Sequence, residues 1–320
     1  GYPAGGSVDL TARLFGEALA KQLGQSVVIE NFGGAGGTIG AQRVARAQPD
    51  GYTLLLGSAN EMAIAGLINP AVKYDGARDF TALGVIASQP LLLAASKASG
   101  ITTAAQYLAK LREQAPGTYN FGSSGVGTSL HLAGEMVNQA TGTHAEHVPY
   151  RGVSPLVTDL MSGQLTFGML VLSSGLPQIR AGKVIALGTT EAKRSAITPD
   201  IPALSELPQY KNVDINVWFA LMAPKGLPAP VAAKVKKALD ETGLVSSAVV
   251  ISPPDTREGH EDVNESELPE VQQWWAANVK GDPEDNEKQI VDDFSTEGRP
   301  DLLIVVDKLL TGFDEPRNAV

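Results

Sequence analysis

Cysteine is absent from the 320 residues, which removes disulfides, cysteine-ligated zinc, iron–sulfur clusters and thiol catalysis. No run of about 18 apolar residues occurs, so no membrane-spanning helix is expected. Gly1-Tyr2-Pro3 forms neither a charged n-region nor an apolar h-region, so no signal peptide is expected; a mature secreted protein and a cytosolic one both fit. Positive charge is scarce. The 25 Lys and Arg stand against 35 Asp and Glu, a net of −10 that opposes general binding to a phosphate backbone. Familiar enzyme signatures are missing as well. None of the glycine-rich loops reads G-x-G-x-x-G, no phosphate loop of the form G-x-x-x-x-G-K-[ST] exists, and Ser124 lacks the second glycine of a nucleophile elbow because Val126 stands there. His144-Ala145-Glu146-His147 is not H-E-x-x-H, so no metal is expected there.

What is present is a chain of 43% hydrophobic residues, enough to exclude disorder from end to end and long enough for about two domains. Its charge is divided unevenly. Residues 241–320 hold six Lys or Arg against nineteen Asp or Glu, a net of −13, whereas residues 1–240 carry a net of +3. Twenty-nine of the 34 glycines precede the same point. Two segments of different character are expected to meet near Asp240.

Over the first 240 residues short apolar runs alternate with helical patterns. The strand candidates are Ser26–Glu30, Tyr52–Leu56, Leu83–Ala87, Leu91–Ala95, Tyr119–Phe121, Glu146–Pro149, Leu165–Leu170 and Val184–Thr189. Helices are expected over Val8–Leu23, Ile39–Ala47, Thr103–Gln114, Thr128–Thr141, Pro155–Ser162 and Ala229–Leu239. In the first of these, Leu14, Phe15, Ala18, Leu19 and Leu23 form one stripe. The alternation predicts an α/β fold with largely parallel sheets and ligands at the carboxyl ends of strands.

Three glycine-rich loops stand at such places, Pro3–Ser7, Gly33–Gly37 and Gly122–Thr128, each leading into a helix. Free amides at a helix N-terminus attract anions, and glycine lets a ligand come close. Ser7, Ser123, Ser124 and Thr128 add hydroxyls, and neither the first nor the third loop contains Lys or Arg. The chemistry suits a carboxylate or a phosphate. Taken singly, each loop also reads as a tight turn with a helix cap.

These loops bring a family into view. Tyr2-Pro3-Ala4-Gly5-Gly6-Ser7-Val8-Asp9 resembles the opening loop of the tripartite tricarboxylate transporter solute-binding proteins, also called Bug proteins. Similar motifs follow in the same order: Val28–Asn31 with Gly34–Gly37, Pro49–Leu54, Asn120–Thr128, His131–Glu135, His147–Gly152, Pro177–Lys183 and Ala223-Pro224. Coverage is about residues 1–235. The resemblance implies a periplasmic-binding-protein-like (type II) fold with two α/β lobes around a cleft. One lobe comprises residues 1–98 plus about 218–240, the other residues 99–217. It implies a monomer that closes on a small mono- or dicarboxylate and delivers it to membrane transporter subunits, with no catalytic residue, cofactor, metal or nucleic acid. The ligand-binding residues it implies are those of the opening loop, Tyr2, Ala4, Gly5, Gly6, Ser7 and Asp9, and of the third loop, Ser123, Ser124, Gly127 and Thr128; Ser58, Ala59 and Asn60, following the strand Tyr52–Leu56, are expected on the same rim, Tyr2 and Tyr150 as apolar walls with polar tips, and Leu170 beside them. Leu170 stands where members commonly carry Asp, which disfavours a ligand with an amino group. The family also begins with a strand ahead of the opening loop, whereas this chain starts at Gly1 inside it; loss of a central strand is expected.

Residues 241–320 resemble something else. Gly243–Ser252, Asp255–His260 and Pro300–Asn318 are similar to the motor (restriction) subunit of type I restriction enzymes, the last stretch to the second motor lobe of a superfamily-two helicase. The chain therefore reads as a chimera with an acidic, foreign C-terminal segment, in which Asp301–Val306 is expected to be a strand. Trp274-Trp275 is read as a packed helix face, and Glu258–Glu270 and Asp282–Glu287 as solvated loops. Three functions stand at this point: a carboxylate-binding protein, an enzyme (a motor ATPase fragment or a hydrolase using Ser124), and a chain with no function as a whole.

Overall fold

The computed structural model describes residues 1–195 and 197–244, together with the strands 248–251 and 303–306. Contacts divide the chain into two compact units, Gly1–Val235 and Lys236–Val320.

In the first unit everything hangs on one long strand. β1 is Leu55–Ser58 and β2 is Phe80–Ser96; β3 (Asn120–Ser123), β4 (Glu146–Pro149), β5 (Phe167–Val171), β6 (Val184–Thr189) and β7 (Asn216–Pro224) follow. The hydrogen-bonded order is β1-β7-β2-β5-β3-β4, and β6 also pairs with β2. The first part of β2 lies antiparallel to β7, from Phe80 opposite Pro224 to Pro90 opposite Asn216. Its last residues change partners. Leu91 to Ala95 pair antiparallel with β5, and Leu92 to Ser96 with β6. β3 runs parallel to β4 and β5.

The mixed α/β fold matches expectation, but the sheet is not largely parallel: the pairs β1/β7, β2/β7, β2/β5 and β2/β6 are antiparallel. The runs at Leu83–Ala87 and Leu91–Ala95 are a single strand. Pro90 falls where β2 exchanges one ladder for another, the position in a strand at which a missing N–H is tolerated. Residues 26–30 join no ladder; Val27 and Ile29 pack instead over Gly16, where a Cβ would lie 3.1 Å from the Ile29 side chain.

Six helices fall close to expectation, α1 Ser7–Leu23, α2 Thr38–Ala45, α4 Ala104–Glu113, α5 Ser129–Thr141, α6 Val153–Ser162 and α8 Ala229–Glu241, while α3 Ala65–Ile68 and α7 Leu172–Arg180 were not expected. Asn60–Ile64, ahead of α3, winds as a π-helical turn, a form that recurs at functional sites. The stripe expected on α1 is partly wrong. Leu19 is buried but Leu14 is 63% exposed, and the buried face runs through Ser7, Val8, Asp9 and Gly16. The core centres on Leu91–Ala95 with Tyr107, Phe121, Leu156, Leu160 and Phe167, and Tyr107 meets Phe167 edge-on at 4.6 Å between ring centres. Burying each Leu there contributes about 1.5–3 kcal/mol.

In the second unit β8 (Ala248–Ile251) pairs in parallel with β9 (Leu303–Val306), so the expected strand near Asp301–Val306 is present. The readings of Trp274-Trp275, Glu258–Glu270 and Asp282–Glu287 lie outside the described residues.

Candidate functional site

Four helices begin around one cleft. Gly6, Ser7 and Val8 open α1, Ser129 and Leu130 open α5, Val153 opens α6 and Val171 precedes α7; all line the same space. Tyr2, Pro3, Asn60, Leu91, Ser124, Val217 and Phe219 complete the wall. The open space, solvent at the mouth included, is about 390 Å³. No Lys, Arg, Asp or Glu lines it. Positive potential therefore comes from helix N-termini, each leaving unsatisfied amides in its first turn. Pro3, Val8, Leu91, Val153, Val171, Val217 and Phe219 give the cleft an apolar side facing the hydroxyls of Ser7, Ser124 and Ser129.

The two expected loops face each other here, but their residues divide into those that line the cleft and those that hold the loops in shape. Gly6 and Ser7 line it. No side chain caps the α1 N-terminus. Ser7 is 3% exposed, and its hydroxyl has no partner among the described residues. Ala4 and Gly5 are exposed and outside the lining; the Gly5 amide donates to Asp9 Oδ2 at 2.9 Å. Asp9 supports the loop rather than touching the cleft. It is 3% exposed, accepts from Asn31 Nδ2 at 3.0 Å and is paired with Arg13 at 3.0 Å. Burial pushes its carboxyl up, but the bonds from Arg13, Gly5 and Asn31 outweigh this and hold it below the usual range.

The Ser58-Ala59-Asn60 rim is corrected in the same way. Asn60 lines the cleft; Ser58 and Ala59 are buried behind it. Ser58 is consumed by Glu61, to which it donates from its amide at 2.7 Å and from its hydroxyl. Tyr2 is a wall residue, yet its polar tip is not free. Its hydroxyl donates to Gly36 O at 2.8 Å, lies 3.0 Å from Glu61 Oε2 and accepts from Asn60 Nδ2 at 2.9 Å. Burial raises the pKa of Tyr2 well above the ordinary phenol value. Burial also raises that of Glu61, against the lowering effect of the Ser58 bonds. Sequence reasoning missed Glu61; a lone carboxylate straight after a strand in an apolar stretch was the available signal.

Across the cleft Ser124 lines the space, while Ser123, Gly127 and Thr128 do not. Ser123 Oγ lies 2.7 Å from His147 Nε2, and the Gly127 amide donates to His131 Nδ1 at 3.0 Å. Thr128 caps α5 by accepting from the His131 amide and donates to Gly125 O at 2.8 Å. His131 and His147 stack beneath the loop with ring centres 3.9 Å apart. Burial lowers both pKa values, that of His147 to about 4 with help from the charge of His131. Tyr150 is also outside the lining, its hydroxyl bonded to Asp159 at 2.8 Å. Leu170 points the wrong way. In the β2/β5 ladder Leu91 pairs with Val171, and both line the cleft, whereas Leu92 and Leu170 pack together toward Gly175 of α7. Ser129, next to the singled-out Thr128, is a cleft residue that sequence reasoning missed.

Among the described residues no cluster of side chains has the composition of a metal site, and no helix is long and apolar enough to cross a membrane.

Comparison with known proteins agrees with this architecture. The model of the tripartite tricarboxylate transporter family receptor (TctC) matches residues 11–252, running past the boundary expected near Asp240. A protein of the TAR-I ttuE–ttuC' intergenic region of Agrobacterium vitis is 37% identical over 247 residues, 77% of this chain and 70% of that one. Protein BugT of Bordetella pertussis is 33% identical over 250 residues, 78% of this chain and 76% of its own. Among solved structures the periplasmic binding protein BugD is 34% identical with a TM-score of 0.71, covering 75% of this chain and 80% of its own. MatC from Rhodopseudomonas palustris with bound malate is 31% identical, with a TM-score of 0.69 and coverage of 75% and 81%. An R. palustris protein with adipate is 32% identical, with a TM-score of 0.72 and coverage of 74% and 79%. These are periplasmic solute-binding receptors rather than enzymes, and a cleft walled by helix N-termini with no acid–base or nucleophilic constellation is what such a receptor needs: the chain belongs to the TctC (Bug) family of tripartite tricarboxylate transporter receptors.

Proposed function

We propose that this chain captures a small carboxylate in the cleft and hands it to membrane subunits of a tripartite tricarboxylate-type transporter, working as a monomer without cofactor, metal or nucleic acid. The observation that carries the reading is Ser7. Ser7 is 3% exposed as a residue, its hydroxyl has no partner among the described residues, and it stands at the uncapped N-terminus of α1, in a cleft without any acidic side chain. A carboxylate there receives the hydroxyl proton and the first-turn amides together. The apolar wall of Leu91, Val171, Val217 and Phe219 suits the carbon body of the acid. The relatives with malate and adipate support the same ligand class. Residues 1–98 with about 218–240 act as one lobe and residues 99–217 as the other, closing on the acid because the closed form completes both sets of contacts. Isothermal titration of the intact protein with C2–C6 mono- and dicarboxylates tests this. A carboxylate should bind, and Ser7→Ala should weaken it by about 10-fold or more, the loss of one donor to a charged group. A folded protein that binds none of these acids refutes the reading.

The resemblance of residues 243–260 and 300–318, together with the uneven charge, supports a second reading for the tail, that residues beyond about 240 come from a restriction-enzyme motor subunit. The family match through residue 252 weighs against a junction at Asp240. Intact mass with peptide sequencing across residues 235–260 tests it: a break in the covalent chain or a different sequence there refutes it.

A further inference from the structure

Asn60 and Ser129 lie 69 places apart in the chain and meet at the cleft, which both of them line. Asn60 sits on the π-helical turn after β1, on the side of the molecule built from β1, β7 and the first part of β2. Ser129 is the first residue of α5, which packs on β3 and β5. Asn60 Oδ1 accepts from the Ser129 amide and from the Ser129 hydroxyl, both at 2.7 Å. The other end of the carboxamide is fixed as well. Its Nδ2 donates at 2.9 Å to Tyr2 Oη, whose own proton is directed at Gly36 O and Glu61 Oε2. The amide nitrogen only donates and the amide oxygen only accepts, so these partners allow one orientation, oxygen toward Ser129 and nitrogen toward Tyr2. Asn60 is 8% exposed and Ser129 2%, so water competes little for these bonds.

Other approaches between the two sides are of a different kind. Gly127 meets Ile68, and Gly36 meets the Thr128 methyl, through apolar atoms. Gln89 Oε1 accepts from the Ser173 amide at 3.1 Å, but Gln89 directly precedes Pro90, where β2 changes partners, and a bond beside the crossover resists little rotation. Asn60 follows β1, which lies two strands from β2, about 10 Å away. A turn at the crossover therefore pulls its two bonds to Ser129 apart.

We propose that Asn60 is a positioning residue that clasps the two sides of the cleft together and keeps the N-terminus of α5 turned toward that of α1. This rests on the lobe closure proposed above and names the side chain that holds the closed form. The clasp consists of protein groups alone, so it acts with or without a ligand. It leaves the next amide of α5, that of Leu130, facing the cleft wall without a side-chain partner among the described residues. A ligand enters after both bonds to Ser129 have parted, so the open fraction sets the rate of entry.

The test reads the clasp with no ligand present. The chain has no cysteine, so spin labels attach only where one is introduced. Ala77→Cys and Gln139→Cys place labels at exposed positions on the two sides, and Ala105→Cys with Gln139→Cys places both on one side. Pulsed electron resonance then gives the distance distribution in the intact protein. With Asn60 present, the pair across the cleft should show mainly the short, closed distance. Adding Asn60→Ala should lower the closed-to-open ratio by about 10-fold, the loss of two hydrogen bonds, and a longer distance should appear. Ser129→Ala keeps the amide bond and should give a smaller shift in the same direction; it decides the matter where the Asn60 variant does not fold, as judged by its melting transition. The pair on one side should not change. An unaltered distribution across the cleft overturns the proposal. So does a wild type already as open as the variant, or an equal change in the pair on one side, which would mean local unfolding. Because no acid enters this experiment, its failure leaves the carboxylate reading standing, and failure of the carboxylate titration leaves the clasp to be judged on its own distances.

Discussion

Replacing Gly127 by alanine probes how closely the two sides of the cleft approach. Gly127 has φ +74°, and a Cβ added there would lie 1.7 Å from Ile68 Cδ1 and 3.2 Å from Ile68 Cγ1. Two costs follow. An L-residue in the left-handed region is disfavoured by about 1–2 kcal/mol. The overlap with Ile68 adds about 1–2 kcal/mol, at the lower end for overpacking because Ile68 is 52% exposed and can swing aside in part. Gly127→Ala should thus destabilise the protein by about 2–4 kcal/mol. Ile68→Ala alone should cost under about 1 kcal/mol, being half at the surface. In the double variant the steric part vanishes, leaving about 1–2 kcal/mol from the backbone. Urea denaturation of the four proteins, followed by circular dichroism at equal slope, measures a coupling of about 1–2 kcal/mol. A full penalty for Gly127→Ala in both backgrounds would show that Ile68 does not press on this loop, and the cross-cleft contact would be refuted.

Removing the Asp9 carboxylate by Asp9→Ala should cost about 2–4 kcal/mol and weaken ligand binding, since the Gly5 amide, Asn31 and Arg13 all lose their acceptor; normal binding and melting would contradict its role as the loop's anchor. Thr128→Val should lower stability by about 1 kcal/mol through the lost cap of α5, seen as a lower denaturation midpoint, because its hydroxyl serves the loop and not the ligand. Acid should act through His147. Its folded pKa of about 4 lies below the ordinary 6.5, so between these values the unfolded chain binds a proton that the folded one refuses. Stability then falls as pH drops from about 6.5 to about 4 and levels off below; partial exposure limits the loss to about 1–2 kcal/mol. His147→Gln should flatten that slope in denaturation curves, and an unchanged slope would exclude His147 as its source.

Helices were the most legible part of the chain. α4 and α5 begin one residue after Thr103 and Thr128, whose side chains cap them, and such caps are written locally. Strand direction was not. Continuous apolar runs suggest burial on both faces, and antiparallel strands in the middle of a covered sheet show the same pattern as parallel ones. β7 escaped notice because Asn216–Pro224 mixes Trp218 and Phe219 with a plain apolar tail and no clear alternation. The facing of the loops at Gly6, Ser7 and Ser124 was legible from their positions before helices. Which of their donors remain free was not, because it depends on partners far away in sequence: Glu61 for Ser58, His147 for Ser123, and Asn60 for Ser129. Leu170 was misplaced by one residue, enough in a strand to move a side chain to the opposite face.

β2 has a mechanical consequence. Its first eleven residues belong to the ladder with β7 and its last six to the ladders with β5 and β6, with the exchange between Pro90 and Leu91. On the partner side the step is bound just as locally, the Ile215 amide donating to Thr190 O and Thr190 Oγ1 donating to Ile215 O. A rotation centred on these few residues changes backbone torsions at the crossover and leaves both ladders paired. Under the proposed lobe closure, the two groups of strands would turn about a short axle beside Leu91 and Val217, both of which line the cleft. Closure of that kind would then ask for torsional change at only a few residues around Pro90 and Leu91, with the hydrogen-bonded ladders on either side kept whole.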